Sequence, residues 1–151
     1  MKHTLKYVTW RPELWEADDP VRPELTTEFK TAPGRHVWGL LGSDGKWKSF
    51  MCCARTAFVP KDIDELEKYT SQIGKIWVPY SVWSYEKGAG RAIINEILWC
   101  ANNFNVGIDR IVTLSPQTEM ARKFHLRNDA IEISMNNSTV NFEYVVTHEE
   151  A

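Results

Sequence analysis

Residues 80–94 decide the fold, and they read Tyr-Ser-Val-Trp-Ser-Tyr-Glu-Lys-Gly-Ala-Gly-Arg-Ala-Ile-Ile. The aromatic and β-branched residues from 76 to 84 predict a strand, and Pro79 inside it indicates an edge or a bulge. A Gly-x-Gly turn follows, and apolar residues then recur at helical spacing from 91 to 101. The stretch therefore predicts a strand, a glycine turn and a helix that buries one face.

The glycine turn is typical of an anion-binding site. Glycines let backbone N–H groups approach a phosphate, and the start of a helix presents unpaired donors with a favourable dipole. Lys87 and Arg91 flank the turn and would add positive charge. The alternative is a tight turn that uses glycine only for its positive φ. A P-loop is excluded because its pattern is absent, and a Rossmann fingerprint because no third glycine follows Gly90.

The remaining segments extend this unit to one α/β domain with a mixed sheet. Runs rich in β-formers predict strands, and periodic apolar runs predict helices. No repeat, linker or low-complexity tract divides residues 1–151, so we expect a single domain. Strands are predicted at residues 5–10, 35–41, 46–58, 76–84, 108–114, 131–134 and 140–146, and helices at residues 23–30, 62–71, 91–101 and 117–127.

Composition narrows the class of protein. Hydrophobic residues at 43% and charged residues at 25% are the balance of a soluble globular domain. A net charge of −2 lacks the basic footprint of a dedicated nucleic-acid binder, so such a partner is possible but not favoured. No apolar run approaches the roughly 20 residues of a membrane span, and the N-terminus lacks the apolar core of a signal peptide. We expect a cytoplasmic protein with no membrane partner.

The cysteines do not form a metal-binding pattern. Cys52, Cys53 and Cys100 lack the second paired spacing and the nearby His that a zinc site needs. Buried free thiols in a reducing compartment are the ordinary explanation. No metal is therefore expected.

Two stretches together resemble a known family. Residues 80–94 resemble the acetyl-CoA motif of GNAT acetyltransferases, a strand followed by Q/R-x-x-G-x-G/A and a helix. Residues 111–125 read Ile-Val-Thr-Leu-Ser-Pro-Gln-Thr-Glu-Met-Ala-Arg-Lys-Phe-His and resemble that family's next strand and helix, where N-x-x-A-x-x-x-Y is common. The resemblance covers a core at about residues 76–144. It implies one GNAT-like domain with a mixed, mostly antiparallel sheet flanked by helices.

The resemblance also implies a cofactor, acetyl-CoA, and a set of residues that bind it. The splayed strand would pair through its backbone with the pantetheine arm, and the glycine turn would hold the pyrophosphate. Thr118 would contact the cofactor or cap the helix that follows it. The implied cofactor-binding residues are Val78, Tyr80, Val82, Lys87, Gly88, Ala89, Gly90, Arg91 and Thr118.

Three positions depart from the family pattern. Tyr85 stands where the family prefers Gln or Arg, and Thr118 stands where it often has Asn. His125 stands where the family often has the Tyr that protonates the leaving thiolate. These departures leave the expected fold and cofactor site in place and change the residues at the expected catalytic positions.

Four residues are candidates for the chemistry. His125 could act as acid or base, since both protonation states of an unperturbed imidazole are accessible near pH 7. His36, at the start of the first hairpin, could face the acceptor as a base. Ser115 could bond the acyl group, and Tyr144 could be a phenolic acid. Trp15, in a proline-rich connection, could stack on an aromatic or cationic acceptor.

The function that the resemblance implies is transfer of an acetyl group from acetyl-CoA to a primary amine. The acceptor could be a small molecule, a peptide N-terminus or a lysine. One alternative is a phage-type GNAT-like enzyme that modifies DNA bases, similar to Mom, which would highlight His36, Ser115, Asp129 and Tyr144. Another is a GNAT-fold module that binds CoA or a partner protein without turnover. A homodimer formed through edge strands would suit this fold.

Overall fold

The protein's structure is a computed structural model that describes residues 2–147. Eight strands form one sheet, and helices pack on both of its faces. The strands are β1 (His3–Tyr7), β2 (Arg35–Gly42), β3 (Trp47–Thr56), β4 (Ile76–Ser84), β5 (Arg110–Val112), β6 (Ser115–Pro116), β7 (Ile131–Met135) and β8 (Thr139–Tyr144). The helices are α1 (Thr27–Thr31), α2 (Ile63–Tyr69), α3 (Ala89–Asn103) and α4 (Glu119–Arg127), and Pro12–Leu14 forms a 3₁₀ turn.

The sheet is mixed and mostly antiparallel. Its strand order is β1-β2-β3-β4-β5-β8-β6, and β7 pairs with β8. Every neighbouring pair is antiparallel except β4 and β5, which run parallel. A parallel pair needs a crossover connection, and α3 supplies it here. The predicted architecture of a mixed, mostly antiparallel sheet flanked by helices is confirmed.

Three predicted elements differ most from the observed ones. The helix predicted at residues 23–30 begins later, because the Thr26 side chain accepts the Phe29 N–H and starts α1 there. The first strand ends at Tyr7, before the predicted end at residue 10. The strand predicted at residues 108–114 is shorter, and the chain then bends to form β6 beside β8.

The crossover helix α3 covers one face of the sheet. It is 15 residues long and buries an apolar stripe that includes Ile93, Ile94 and Ile97. These side chains pack in one cluster with Trp77 of β4 and Ile111 of β5, so α3 spans the parallel pair. Within residues 2–147, no helix has both the length and the apolar character that crossing a bilayer requires.

Trp15 belongs to the core on the opposite face. Its side chain is fully buried, and its indole N–H donates to the Val8 carbonyl at 2.9 Å. The expectation that Trp15 could stack on an acceptor was therefore wrong: the indole is satisfied inside the protein. Cys52 and Cys53 are also buried, as expected, and burial raises the pKa of both thiols.

An irregularity in β4 shapes the functional end of the sheet. Cys52 lies opposite Ser81 and Cys53 opposite Pro79, so Tyr80 is an extra residue in β4, a β-bulge beside the proline as predicted. The Leu114 N–H donates to the Pro79 carbonyl at 2.9 Å. Beyond this bond the chain leaves β4 and pairs with β8. The parallel strands therefore splay apart at the bulge.

Candidate active site

The splay opens into a groove between β4 and α4. The groove has a volume of about 560 Å³, in the range of small-molecule sites. Its lining is mostly apolar, and Ser115 and His125 are among the few polar groups. The lining residues are Pro20, Val21, Pro79, Tyr80, Ser81, Val82, Trp83, Ser84, Gly90, Leu114, Ser115, Pro116, Thr118, Met120, Ala121, Phe124 and His125.

One end of the groove meets the first turn of α3, where Gly90 forms part of the wall. Gly88 is the N-cap residue of α3 and has φ +87°, with no side-chain bond to the helix. The other α-helices of residues 2–147 are each capped by a side chain, from Thr26, Asp62 and Thr118. The Ala89 N–H donates to the Glu86 carbonyl at 3.2 Å, and no side chain caps the next amides of α3, so those of Gly90 and Arg91 remain available to an anion.

The two glycines of the turn are favoured for different physical reasons. A Cβ on Gly88 would meet no atom within 4 Å, so the positive φ alone favours glycine there. A Cβ on Gly90 would lie 2.9 Å from Cε1 of Phe124 on α4. Gly90 thus allows α3 and α4 to approach closely, a reason that the sequence alone does not reveal.

A chain of polar side chains also borders the groove. The Ser115 Oγ lies 3.1 Å from Nε2 of His125, and Nδ1 of His125 lies 2.7 Å from the Tyr144 hydroxyl. The Thr113 Oγ1 lies 2.8 Å from the Ser115 Oγ. The His125 ring also stacks on Phe142, with ring centroids 5.0 Å apart. The structure therefore brings together three predicted residues from β6, α4 and β8.

Burial determines the protonation of this chain. It lowers the pKa of His125 to about 4, so the imidazole is neutral at pH 7. The expectation that both protonation states are accessible near neutral pH was therefore wrong. Burial and the nearby Asp129 raise the pKa of Tyr144, so its phenol keeps its proton.

The hydrogen bonds then have one consistent direction. Within residues 2–147 the Tyr144 hydroxyl has no acceptor besides Nδ1 of His125, and a buried O–H without an acceptor is costly. We therefore assign the phenol as donor to Nδ1, which places the imidazole hydrogen on Nε2, facing the Ser115 Oγ. The Phe142 N–H donates to the Thr113 Oγ1. We assign the Thr113 hydroxyl as donor to the Ser115 Oγ, because Thr113 is buried and its hydroxyl has no other acceptor within residues 2–147. Ser115 accepts twice, so its own hydrogen is free to point into the groove.

Two other predicted site residues have structural partners of their own. His36 does not line the groove: its Nδ1 lies 2.7 Å from the Tyr7 hydroxyl, and burial and Arg55 lower its pKa. Thr118 lines the groove, and its hydroxyl accepts the Ala121 N–H at the start of α4.

The residues implied for cofactor binding divide into three groups. Tyr80, Val82, Gly90 and Thr118 line the groove. Val78 is buried in the core below it, and Arg91 is exposed on the first turn of α3. The remaining members line a second cavity of about 180 Å³ on the other side of the turn: Lys87, Gly88 and Ala89.

A buried charged cluster behind the groove was not predicted. Asp19, Arg22 and Lys30 lie in or beside the proline-rich connection between β1 and β2, and each is at least nine-tenths buried. The sequence carries no periodicity there, and charged residues in such segments are usually solvated. The sequence feature that could have indicated this cluster is the high density of charged residues among the prolines of this connection. Within residues 2–147, no group of three or more His, Cys, Asp or Glu side chains is arranged to hold a metal ion.

No protein-family model matches the sequence, and no curated protein matches it either. Solved structures do resemble the fold. The GNAT-like decarboxylase GphF in complex with isobutyryl-CoA superposes with a TM-score of 0.71 at 15% identity, covering 95% of this chain and all of that one. The loading GNATL domain of CurA from Lyngbya majuscula gives 0.72 at 12% identity, covering 99% and 100%.

An N-acetyltransferase is also similar. PseH from Campylobacter jejuni, in complex with acetyl coenzyme A, gives a TM-score of 0.62 at 12% identity and covers 97% of this chain and 100% of that one. At these identities the likeness shows the fold alone. The chain therefore has a GNAT-like fold, as the resemblance implied.

Proposed function

We propose that the groove binds an acyl-CoA and that the protein is an acyltransferase that acts on an amine. The observation that carries the proposal is that one groove is bordered both by Gly90 at the start of α3 and by the Ser115–His125 pair. The uncapped start of α3 suits a pyrophosphate, and the Ser115 hydroxyl suits an acyl group that gains negative charge as it reacts.

The residues present fit such a ligand. Tyr80 and Val82 border the groove on a splayed strand, so backbone groups of that strand can bond the amides of a pantetheine arm. The first amides of α3, with Lys87 and Arg91 beside them, would hold the phosphates. When bound, the cofactor supplies an activated acyl group as a thioester. Acetyl-CoA is the donor that the groove is proposed to take, in agreement with acetyl coenzyme A bound to PseH.

Ser115 is proposed to act as a hydrogen-bond donor. Because Nε2 of His125 carries its own hydrogen, it cannot accept the proton of Ser115, and the pair is not arranged as a nucleophile and its base. Instead Tyr144, His125 and Ser115 form a directional series of donors that ends in the groove. Such a series polarises its last hydroxyl and stabilises negative charge that develops next to it.

The reaction of the amine would be accelerated mainly by alignment of the two bound reactants. The described lining of the groove contains no carboxylate, and His125 is neutral and already engaged on both ring nitrogens. An amine that arrives uncharged needs no base for its attack on the thioester carbon. As the C–S bond breaks, the leaving CoA thiolate takes up the proton that the new amide nitrogen releases, directly or through water. Alignment of the two bound reactants can supply much of the acceleration. The acceptor is proposed to be a small molecule or a peptide amine.

A second candidate function is decarboxylation of a carboxyacyl-CoA. The same Ser115 donor would stabilise the charge left on the acyl group, and the apolar lining of the groove would desolvate the carboxylate. This candidate is favoured by the absence of a carboxylate base from the described lining and by the GNAT-like decarboxylase among the similar structures.

The first experiment measures ligand binding. Purified protein is titrated with free CoA, acetyl-CoA, malonyl-CoA and NAD, and heat of binding and melting temperature are recorded. A ligand at 100 times its Kd stabilises the fold by about 2.7 kcal/mol, which shifts the melting temperature by several degrees. Binding of the CoA species but not NAD supports the site. A folded protein that binds no CoA species contradicts the proposal.

The second experiment separates the two functions. The protein is incubated with acetyl-CoA and a panel of amines and peptides, and separately with malonyl-CoA alone, and products are read by mass spectrometry. An acylated amine supports the transferase, and acetyl-CoA formed from malonyl-CoA supports the decarboxylase. Ser115→Ala should abolish whichever product forms, and Ser138→Ala, in the exposed β7–β8 turn, is the matched control. CoA binding without any product would leave only a binding module.

A further inference from the structure

Two residues of the β1–β2 connection form part of the groove wall. Pro20 and Val21 line the groove together with Tyr80, Leu114 and Ser115, which lie at the vertex of the splay. Arg22, the next residue in the chain, donates to the carbonyls of Tyr80 and Leu114. The connection therefore borders the splayed part of the groove, where an acyl group would lie.

The wall is anchored to β4 by Asp19. One carboxylate oxygen of Asp19 accepts the N–H groups of Val21 and Arg22, at 2.8 and 2.9 Å, and the Ser81 hydroxyl at 2.7 Å. The other oxygen accepts from the ammonium of Lys30 at 2.7 Å. Burial opposes ionisation of Asp19, but the bonds from Lys30, Arg22 and Ser81 outweigh it and lower the pKa of the carboxyl. The backbone of Val21 is thus tied directly to a buried anion.

The wall is anchored a second time by Arg22, at the point where the strands separate. Its Nε donates to the Tyr80 carbonyl at 3.1 Å, and its second terminal nitrogen donates to the Leu114 carbonyl at 3.0 Å. The last backbone bond between the strands is Leu114 to Pro79, so the guanidinium occupies the position of the next rung. The planar fork of arginine suits two acceptors at fixed spacing.

These anchors make the wall rigid. Moving Val21 away from the groove would break bonds to a buried carboxylate on one side and leave two strand carbonyls unpaired on the other. The side chain of Val21 therefore cannot retreat to admit a longer acyl group. A packed wall of this kind excludes ligands by size.

We propose that Val21 is the residue that limits acyl chain length and restricts the site to short acyl groups. This inference rests on the proposed function, because it requires that an acyl-CoA lies in the groove. Val21→Ala removes side-chain volume without touching either anchor, so it should let longer chains in. Val21→Phe adds volume at the same point and should exclude them.

The test measures binding and not turnover. Dissociation constants of free CoA and of acetyl-, propionyl-, butyryl- and hexanoyl-CoA are measured by calorimetry for wild type and both variants. Val145→Ala, an exposed valine distant in sequence from the wall, is the control. Each buried CH₂ group is worth about a fourfold change in affinity. Val21→Ala should therefore bind butyryl-CoA several-fold more tightly relative to acetyl-CoA than wild type does.

The outcomes separate this inference from the proposed function. In Val21→Phe, affinity for propionyl-CoA and longer species should fall while affinity for free CoA is kept, which also shows that the variant is folded. Unchanged chain-length profiles in both variants, with free CoA still bound, overturn the role of Val21 and leave the CoA site intact. Wild type that binds no CoA species overturns the proposed function and this inference with it.

Discussion

The Ser115 Oγ lies 3.1 Å from Nε2 of His125. This bond links β6 to α4. The hydrogen bond from the Tyr144 phenol to Nδ1 of His125 determines that His125 is the donor. Because Nε2 carries the hydrogen, Ser115 receives a bond from His125 and presents its own hydrogen to the groove. The pair therefore differs from a serine activated by a histidine base, although the two share the same spacing.

Substitution of Tyr144 tests this direction. Tyr144→Phe removes the donor to Nδ1 of His125, so the Nε2–H form is no longer enforced and Ser115 loses its fixed orientation. Ser115→Ala should lower kcat by about 100-fold or more, and Tyr144→Phe by a smaller factor, with the dissociation constant of free CoA unchanged. Steady-state kinetics and calorimetry measure both quantities.

The control for this prediction is a second tyrosine–histidine pair. Tyr7 bonds His36 at the same 2.7 Å distance but outside the groove. Tyr7→Phe should leave kcat unchanged. Equal losses in the two tyrosine variants would show that the phenol at position 144 acts only on the fold.

The buried His125 predicts a loss of stability in acid. Its pKa is about 4 in the folded protein and about 6.5 when unfolded, so the unfolded chain binds the proton first as the pH falls. The stability that the neutral His125 contributes is fully present above pH 6.5 and is lost as the pH falls towards 4. The free energy of unfolding should decrease by on the order of 3 kcal/mol over this range. Urea unfolding of wild type and His125→Gln between pH 7 and 4.5 measures the difference in slope.

His125→Gln should flatten this pH dependence in part, since burial also lowers the pKa of His36 and adds a slope of the same sign. Asn137→Gln, in the exposed β7–β8 turn, changes no titratable group; it is the control and should keep the wild-type profile. Parallel profiles for wild type and His125→Gln would mean that the imidazole is charged in the folded protein.

The two glycines of the α3 turn should respond differently to alanine. In Gly88→Ala the added methyl group meets no other atom, but the alanine has to keep a left-handed φ. This should lower the free energy of unfolding by about 1–2 kcal/mol. Gly90→Ala places a Cβ against Phe124, at a cost of about 1–3 kcal/mol. Only the second cost should shrink when Phe124→Leu is added, because only there is the ring the obstacle. Chemical unfolding of single and double variants measures this coupling, and additive costs at Gly90 would contradict it.

The buried pair of Asp19 and Lys30 should be far more sensitive than a surface pair. Lys30→Met leaves the Asp19 carboxylate buried without its ammonium partner and should cost about 3–5 kcal/mol of unfolding free energy. Adding Asp19→Asn should recover part of this loss, because the unpaired charge is then gone. Lys123→Met, which breaks an exposed pair with Glu119, should cost about 1 kcal/mol or less. Similar costs for Lys30 and Lys123 would show that Lys30 is hydrated.

The sequence predicted the parts of the site that lie in regular structure. β4, α3 and α4 have clear periodicity, so these three elements were placed within about two residues of their observed bounds. The bond between His125 and Tyr144 depends on where β8 pairs with β5, a long-range register that no local pattern encodes. His36 was kept as a second candidate base beside the favoured His125, because neither residue's neighbours in space follow from its neighbours in sequence.

The wall behind the groove could not be predicted from local signals. Asp19 and Arg22 lie in an irregular segment, where a charged residue is normally solvated and its backbone needs no particular partner. Their burial follows from the carbonyls that the splay leaves unpaired, and the splay itself follows from the bulge at Tyr80. The sequence shows the charged residues but not the buried groups to which they bond.

The parallel pairing of β4 with β5, the seam between the two halves of the sheet, affects how the protein responds to cold. The ladder between β4 and β5 is short: beyond the pairs Ile76–Arg110 and Trp77–Ile111 it has the bond from Leu114 to Pro79 and the Arg22 bridge, so the two halves of the sheet also depend on the apolar side chains packed across this parallel pair. Contacts of this kind weaken on cooling, whereas the antiparallel ladders within each half depend far less on them. Chilling should therefore loosen the seam first, and amide protons along β4 and β5 should exchange with solvent before those of β2 and β3.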